Sequence, residues 1–268
     1  MKKFKVGFIG TGNIATAIFG GIVNSGYIKS ENICVFDPDN DKAMQFASCG
    51  ATALEGASAI ASSCDFVFLT VKPQIYDVVL SEIKDCVGPN TCLIDVAAGI
   101  SIDYVKGFVG EKVPVVRVMP NTPLMYGFGA SALVNRSPVT EEQFAFVRGC
   151  FDSCGVTVVV DENHINTVTA ISGSAPAYVM RFMNDFIAFA TEAGMDSSDA
   201  AKLIAQVFLG SSQMVVKDER TITELIRAVT SPNGTTEAGL SSLDNNNFDQ
   251  TVEACLKSTV KRAEELSK

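Results

Sequence analysis

Between Phe4 and about Val160, short runs of almost unbroken apolar residues alternate with stretches whose apolar positions recur at helical spacing. The clearest runs are "KVGFIG", "ICVFD", "FVFLTV", "CLIDVA" and "VVRVM". Runs this short and this apolar suit strands buried on both faces of a parallel sheet. "NIATAIFGGIVNSG" and "NDKAMQFASCG" fall between them as helices, each closing on a glycine that can take a left-handed turn. A βαβ series of this kind predicts an α/β fold with a doubly wound sheet. After Val160 the strand pattern stops. "NTVTAISGSAPAYVMRFMNDFIAFATEAG", "DAAKLIAQVFLGSSQMVVKD" and "DQTVEACLKSTVKRAEELSK" read as helices. The change of period divides the chain into an α/β domain, residues 1–161, and an all-α domain, residues 162–268, without a low-complexity linker or internal repeat.

Composition narrows what such a chain binds. At 268 residues, 47% hydrophobic and 19% charged, it has the balance of a soluble globular protein with a sizeable core. A net charge of -9 argues against nucleic acid or an anionic membrane as partner. It leaves room for a small anion, which a nest of backbone N–H groups can hold. The opening "MKKFKVGFIGTGN" begins like a signal peptide, but glycines cut its apolar run short, and it reads as a strand. "YVMRFMNDFIAFA" carries Arg181 and Asp185, so it reads as a buried helix and not a membrane span. The 8 cysteines include no C-x-x-C pair, and the single histidine is His164. No metal site is expected, and reduced thiols point to the cytoplasm.

The first chemical motif is "GFIGTGNIATAIFGG". Gly10, Gly12 and Ala15 form G-x-G-x-x-A after a strand and at the opening of a helix. That is the setting of a Rossmann-like dinucleotide fold: glycines allow the tight turn and close approach to a pyrophosphate, and the helix start supplies N–H groups. Asp37 ends the next strand. It can accept hydrogen bonds from the adenosine ribose, and with Asp39 and Asp41 it would repel a 2′-phosphate, favouring NADH over NADPH. It can equally cap a helix starting near Pro38. Three further loops follow strands: "TVKPQ" with Lys72, "DVAAGI" with the small Ala97 and Ala98, and "RVMPNTP" with Asn121. Ligands of such sheets bind at these strand ends, so the three outline one cleft. A solvated lysine and a turn-forming asparagine are the plainer readings of Lys72 and Asn121.

Residues 230–239, "TSPNGTTEAG", interrupt the helical region with four hydroxyls. Alone this is a helix-to-helix turn. In order and spacing, however, "GFIGTGNIATAI", "TVKPQ", "AAGI", "RVMPNTP", "ISGSAPAY" and "TSPNGTTEAGLSSLD" resemble the pyrroline-5-carboxylate reductase family over essentially the whole chain. The last two motifs are the specific ones. The resemblance implies reduction of the cyclic imine 1-pyrroline-5-carboxylate to L-proline with NADPH or NADH, the last step of proline biosynthesis. It implies a helical dimerisation and substrate-binding domain, a homodimer, and in some relatives a decamer of five dimers. By position, Gly10, Thr11, Gly12, Asn13 and Ile14 would hold the pyrophosphate. Val71, Lys72 and Pro73 would flank the cofactor, with Ala97 and Ala98 beneath the nicotinamide end and Asn121 near it. Ser231, Gly234, Thr235 and Thr236 fall in the substrate loop, and Glu162 at a position that approaches the substrate.

Chemistry agrees with that placement. A loop at a helix start can cradle the substrate carboxylate, Ser231 can add a donor, and Thr236 can hydrogen-bond the ring nitrogen. An iminium is already electrophilic, so orientation and exclusion of water supply most of the rate. Two departures are Ala175 and Asn233, both where the family commonly has glycine. Asn233 would tolerate a left-handed backbone. A β-hydroxyacid dehydrogenase-type reductase would instead need a catalytic lysine on a helix of the second domain, and Lys202 and Lys217 are in the wrong setting. A non-catalytic NAD(P) sensor would not need the hydroxyl loop.

Overall fold

The computed structural model describes residues 4–267. Eight strands form one sheet in the order β3-β2-β1-β4-β5-β6-β7-β8. They are β1 Phe4–Ile9, β2 Ile33–Phe36, β3 Thr52–Ala53, β4 Cys64–Leu69, β5 Cys92–Asp95, β6 Val115–Met119, β7 Gly129–Val134 and β8 Gly155–Val159. All neighbours are parallel except β6 and β7. The five apolar runs of the sequence are β1, β2, β4, β5 and β6, and every residue of β5 and β6 is buried. The polar residues buried within β5 and β6 are Asp95 and Arg117.

Helices cover both faces. On one face α1 (Asn13–Asn24), α2 (Asn40–Ser48) and α6 (Glu141–Asp152) close a core around Phe8, Phe19, Phe46 and Phe68. On the other, α3 (Ala57–Ser63), α4 (Tyr76–Ile83) and α5 (Ile102–Val109) close a second core around Ile9, Ile60, Leu69 and Leu80. Helix α1 ends before Gly26 and α2 before Gly50, both with positive φ, as the glycine-closed patterns predict.

The long pattern from Asn166 to Gly194 is not one helix. It comprises α7 (Ile165–Val168), a π-helical turn over Thr169–Gly173 and α8 (Ala175–Glu192). Pro176 has no N–H to continue an α ladder, and the Ser174 N–H reaches back five residues to the Thr169 carbonyl at 2.8 Å. Then follow α9 (Ser197–Lys217), α10 (Ile222–Ala228), α11 (Thr235–Asn245) and α12 (Phe248–Leu266). The chain packs as two compact units, residues 1–176 with 259–268, and residues 177–258. The first keeps the π-helical turn, which lies against β6 and β7, and the end of α12, whose Leu266 lies against Gly99. In the second, buried apolar residues are few: α8 and α11 have none, while Phe189 and Val216 are 75% and 76% exposed.

The aromatic centre of the first core should carry much of its stability. Phe8 is fully buried and stacks on Phe68 with ring centroids 4.8 Å apart. Phe8→Ala should cost about 3–5 kcal/mol, read as a lower urea midpoint at unchanged slope. A loss below about 1 kcal/mol would mean that the surrounding rings collapse into the space.

Candidate active site at the carboxyl edge of the sheet

The sheet reverses its order at β1, which has β2 on one side and β4 on the other, and open α/β sheets bind ligands at such a point. The turn leaving β1 is held there on two sides. Gly10 has φ 96°, and a Cβ on it would lie 2.8 Å from Val71 Cγ1 and 2.9 Å from the Thr70 carbonyl oxygen. The Thr70 hydroxyl donates to the carbonyls of Ile9 and Gly10 at 3.0 and 2.7 Å. From the other side, Asp37 Oδ2 accepts from the Thr11 N–H at 2.8 Å and the Thr11 hydroxyl at 3.0 Å. Asp37 Oδ1 accepts from the Asp39 N–H at 2.9 Å. Asp37 therefore braces the glycine-rich turn. The cap position of α2 belongs to Asp39, two residues beyond Asp37, and the helix starts at Asn40 and not near Pro38 as the sequence suggests.

These residues fit a dinucleotide pyrophosphate. No side chain caps α1, so its first N–H groups face outward through Gly12, Asn13 and Ile14. A Cβ on Gly12 would meet nothing within 4 Å, which leaves open space where an anion would approach.

The next loops sit beside that turn. Val71 lies against Gly10, while Lys72 is exposed and precedes a single 3-10 turn, Pro73–Ile75. Ala97 is buried and Ala98 is partly exposed. The Ala97 N–H donates to Asp95 Oδ1 at 3.0 Å. Gly99, with φ 80°, is pressed by Leu266, and a Cβ there would lie 2.6 Å from the Leu266 carbonyl oxygen. Asn121 is buried: its Oδ1 accepts from the Ala130 N–H at 3.0 Å and its Nδ2 donates to Ser172 Oγ at 3.4 Å. It thus ties the "MPNTP" loop to β7 and to the π-helical turn.

Glu162 is part of a charged chain. Its Oε1 accepts from the Ile102 N–H at the start of α5 at 2.9 Å and from Arg117 Nη1 at 3.0 Å. Arg136 stands 3.7 Å from its Oε2 and pairs with Asp103 at 2.7 Å. Arg117 lies in register with Asp95, fully buried at the end of β5. Asp95 Oδ1 also accepts from the Tyr76 hydroxyl at 2.6 Å. Asp95 Oδ2 and Arg117 Nε are buried without a hydrogen-bond partner among the described residues. Burial pushes the Asp95 carboxyl up to about 7, against the pull of the Tyr76 hydrogen bond, the Ala97 N–H and Arg117. Burial first, and Asp95 second, push the Tyr76 phenol well above its ordinary value.

The "TSPNGTTEAG" loop belongs to the second compact unit. Asn233 takes φ 59°, the left-handed region, and its N–H donates to Glu237 Oε2 at 2.6 Å. The Gly234 N–H donates to the Ser231 carbonyl at 3.0 Å, and a Cβ on Gly234 would collide with Ser231 Oγ. Thr235 and Thr236 are exposed in the first turn of α11, whose cap position, Gly234, offers no side-chain acceptor. Backbone N–H groups and two hydroxyls are therefore presented together, an arrangement suited to a small carboxylate. Thr70, Asp95 and Arg117 open the "TVKPQ", "DVAAGI" and "RVMPNTP" loops without being singled out there, and Tyr76 lies outside the motifs. A carboxylate closing "CLID" and an arginine inside "VVRVM" are the signals that could have found two of them.

Known proteins match the chain over its length. A family described as "Pyrroline-5-carboxylate reductase dimerisation" matches residues 162–266, and one described as "NADP oxidoreductase coenzyme F420-dependent" matches residues 5–99. The pyrroline-5-carboxylate reductase of Escherichia coli (strain K12) is 35% identical over 269 residues, covering 100% of both chains. That of Staphylococcus aureus (strain COL) is 32% identical over 268 residues, 98% of each. The crystal structure of Plasmodium falciparum pyrroline carboxylate reductase with NADP bound matches with a TM-score of 0.91, at 30% identity and 100% coverage of both chains.

The raised Asp95 carboxyl has a consequence for stability. The folded chain holds this proton up to about 7, whereas an unfolded aspartate releases it near 3.9. Between those values the native state binds more protons, so this group's contribution falls as pH rises and is flat above about 7. Asp95→Asn cannot ionise. The stability of this variant minus that of the wild type should therefore grow between about pH 4 and 7, by at most about 1.4 kcal/mol per pH unit. Urea titrations at four pH values measure it. A constant difference would show that Asp95 is ionised throughout.

Proposed function

This chain belongs to the pyrroline-5-carboxylate reductase family, and from that premise we infer that it reduces 1-pyrroline-5-carboxylate to L-proline with NADPH or NADH, the last step of proline biosynthesis. It is an oxidoreductase and a homo-oligomer. The observation that carries the reading is full-length identity with reductases of this name, in a chain whose glycine-rich turn is open for a pyrophosphate. The bound dinucleotide supplies the hydride. The protein's own residues hold it, orient the imine and keep water out.

In the roles proposed, Gly10, Thr11, Gly12, Asn13 and Ile14 bind the pyrophosphate, supported by the uncapped start of α1. Asp37 meets the ribose end while bracing Thr11. Val71, Lys72, Pro73, Ala97, Ala98 and Asn121 flank the nicotinamide half. Ser231, Gly234 and Thr235 hold the substrate carboxylate, Ser231 through its hydroxyl, Thr235 through its N–H in the first turn of α11 and Gly234 by allowing close approach, and Glu162 approaches the substrate while anchoring α5. The Thr236 hydroxyl accepts from the protonated ring nitrogen and fixes the imine carbon for hydride delivery. Residues 1–161 would form the dinucleotide domain and 162–268 the substrate and dimerisation domain. The family match over 162–266 supports this division. A homodimer would cover the apolar helices, and five dimers would close a decamer, as in some relatives. No described helix is long and apolar enough to cross a membrane. A cytoplasmic location belongs to this reading, because 8 cysteines without a C-x-x-C pair suit reduced thiols.

The direct test is oxidation of NADH or NADPH on addition of pyrroline-5-carboxylate, followed by absorbance. Within that assay Thr236→Val keeps the shape and removes the hydroxyl. It should lower kcat/KM by roughly one to two decades, the worth of a hydrogen bond to a charged group at about 1.5–3 kcal/mol, and lower kcat more than it raises KM. Thr235→Val should cost much less. Near-normal turnover by Thr236→Val would leave the loop acting through its backbone alone.

Cofactor choice tests Asp37. A 2′-phosphate beside Asp37, Asp39 and Asp41 is repelled, although Lys42 neutralises Asp39 at 3.1 Å. Asp37→Ser keeps an acceptor for Thr11 and should raise kcat/KM for NADPH relative to NADH about tenfold, or roughly 1.4 kcal/mol. An unchanged ratio would confine Asp37 to bracing the turn.

A further inference from the structure

Tyr76 and Asp95 have no part in the roles assigned above, yet they join the loops that carry those roles. The single proton of the Tyr76 hydroxyl lies between two acceptors, the Leu69 carbonyl at 2.9 Å and Asp95 Oδ1 at 2.6 Å. Leu69 is the last residue of β4, immediately before Thr70, Val71 and Lys72. Asp95 is the last residue of β5, and the same Oδ1 takes the Ala97 N–H at 3.0 Å. Leu69 and Asp95 are themselves paired in register. Across β6, Arg117 continues the path to Glu162 and from there to the Ile102 N–H at the start of α5. One buried phenol and one buried carboxylate therefore span the exits of two neighbouring strands.

We propose that Tyr76 and Asp95 are positioning residues for the reduction, holding the 70–75 and 96–101 loops at the separation that the nicotinamide end of the dinucleotide requires. This rests on the reading of Ala97 and Ala98 given under the proposed function. Three observations carry it. Both side chains are almost wholly buried, so neither serves solubility. Their hydrogen bonds go to backbone at loop edges, at Leu69 and Ala97, and not to one another alone. Asp95 keeps one oxygen without a partner, an expensive arrangement that apolar packing would avoid if stability were its only purpose. Tyr76, Arg117 and Glu162 are the titratable or charged groups facing Asp95. Burial keeps the phenol protonated, so it remains the donor across the neutral range.

The test compares wild type, Asp95→Ala, Asp95→Asn and Tyr76→Phe as full-length protein, well below each melting temperature. Asp95→Asn retains an oxygen for the phenol and the Ala97 N–H; Asp95→Ala does not. Tyr76→Phe keeps the ring in the core and loses only the hydroxyl, so it reads the same link if Asp95→Ala fails to fold. Without cofactor, amide exchange across residues 96–101 should quicken at least tenfold in Asp95→Ala and Tyr76→Phe and stay near wild type in Asp95→Asn. With NADH and the imine, kcat should fall about tenfold in the first two and recover to within about threefold in Asp95→Asn. NADH affinity, measured by nicotinamide fluorescence, should change less than threefold in all, because the glycine-rich turn is intact. Unchanged exchange in both deletion variants, or unchanged kcat with reduced stability, would overturn the proposal and leave a purely structural network. A wild-type protein that binds NADH but does not reduce the imine would sink the proposed function instead, and the exchange comparison would still decide the loop-holding claim.

Discussion

The site depends on how closely the chain may pass itself at Gly10. The turn leaving β1 runs so near Thr70 and Val71 that no Cβ fits, and the positive φ there is one that glycine adopts without strain. That contact fixes the height of the turn above β4. The Thr70 hydroxyl, closing on two carbonyls of β1 and its turn, converts the approach into a joint. Asp37 then pulls Thr11 from the β2 side. With both edges of the turn fixed, α1 can only start with its N–H groups directed outward, and the sheet's topology puts that start at the switch point. A loop that moved by one residue at any of these points would lose the outward-facing start of α1 before it lost the fold.

The same logic separates what the sequence discloses from what it does not. Strong apolar runs disclosed β1, β2, β4, β5 and β6, because a strand buried on both faces must be apolar almost throughout. β3 is too short to show a pattern, with only Thr52 and Ala53. β7, "GASALV", begins with small residues of weak strand preference, and β8, "GVTVV", is largely exposed, so neither stands out from its surroundings. Motifs disclosed the glycine-rich turn and the loops after β4, β5 and β6. They did not single out Asp95 or Arg117, whose roles come from strand register, Asp95 lying beside Leu69 on one side and Arg117 on the other, nor Tyr76, which reaches them from the start of α4. Register is a property of the folded sheet, and no local window contains it. The position of Asp37 at the end of β2 was legible, but not its bracing of Thr11, a contact between residues 26 apart.

The helical unit follows a different rule. Within one chain α8 and α11 bury no residue, although α8 carries Val179, Phe182, Phe186 and Phe189. A face of this kind is stable in water only when a second surface covers it. Membership of a family with a named dimerisation domain over residues 162–266 supplies that surface, a second copy of the same helices. This explains why helical periodicity alone gave the elements but no closed core. The pattern describes half of an interface.

The polar chain through Asp95 and Arg117 shows how the sheet accommodates function at a cost to itself. A central strand pair could be apolar throughout, as β1 and β4 nearly are, and the uncompensated Oδ2 and Nε atoms would then vanish. Replacing such pairs by packed hydrophobic residues is often neutral or stabilising. Apolar side chains at 76 and 95 would leave the Leu69 carbonyl without the phenol and the Ala97 N–H without its acceptor, and both flank loops assigned to the dinucleotide. The Ile102 N–H would keep Glu162, but Glu162 would lose the arginine that holds it if Arg117 were replaced as well. Local rules of sheet composition are broken here at strand ends of the kind where ligands of open α/β sheets bind, and the departure is intelligible only through the loops it secures.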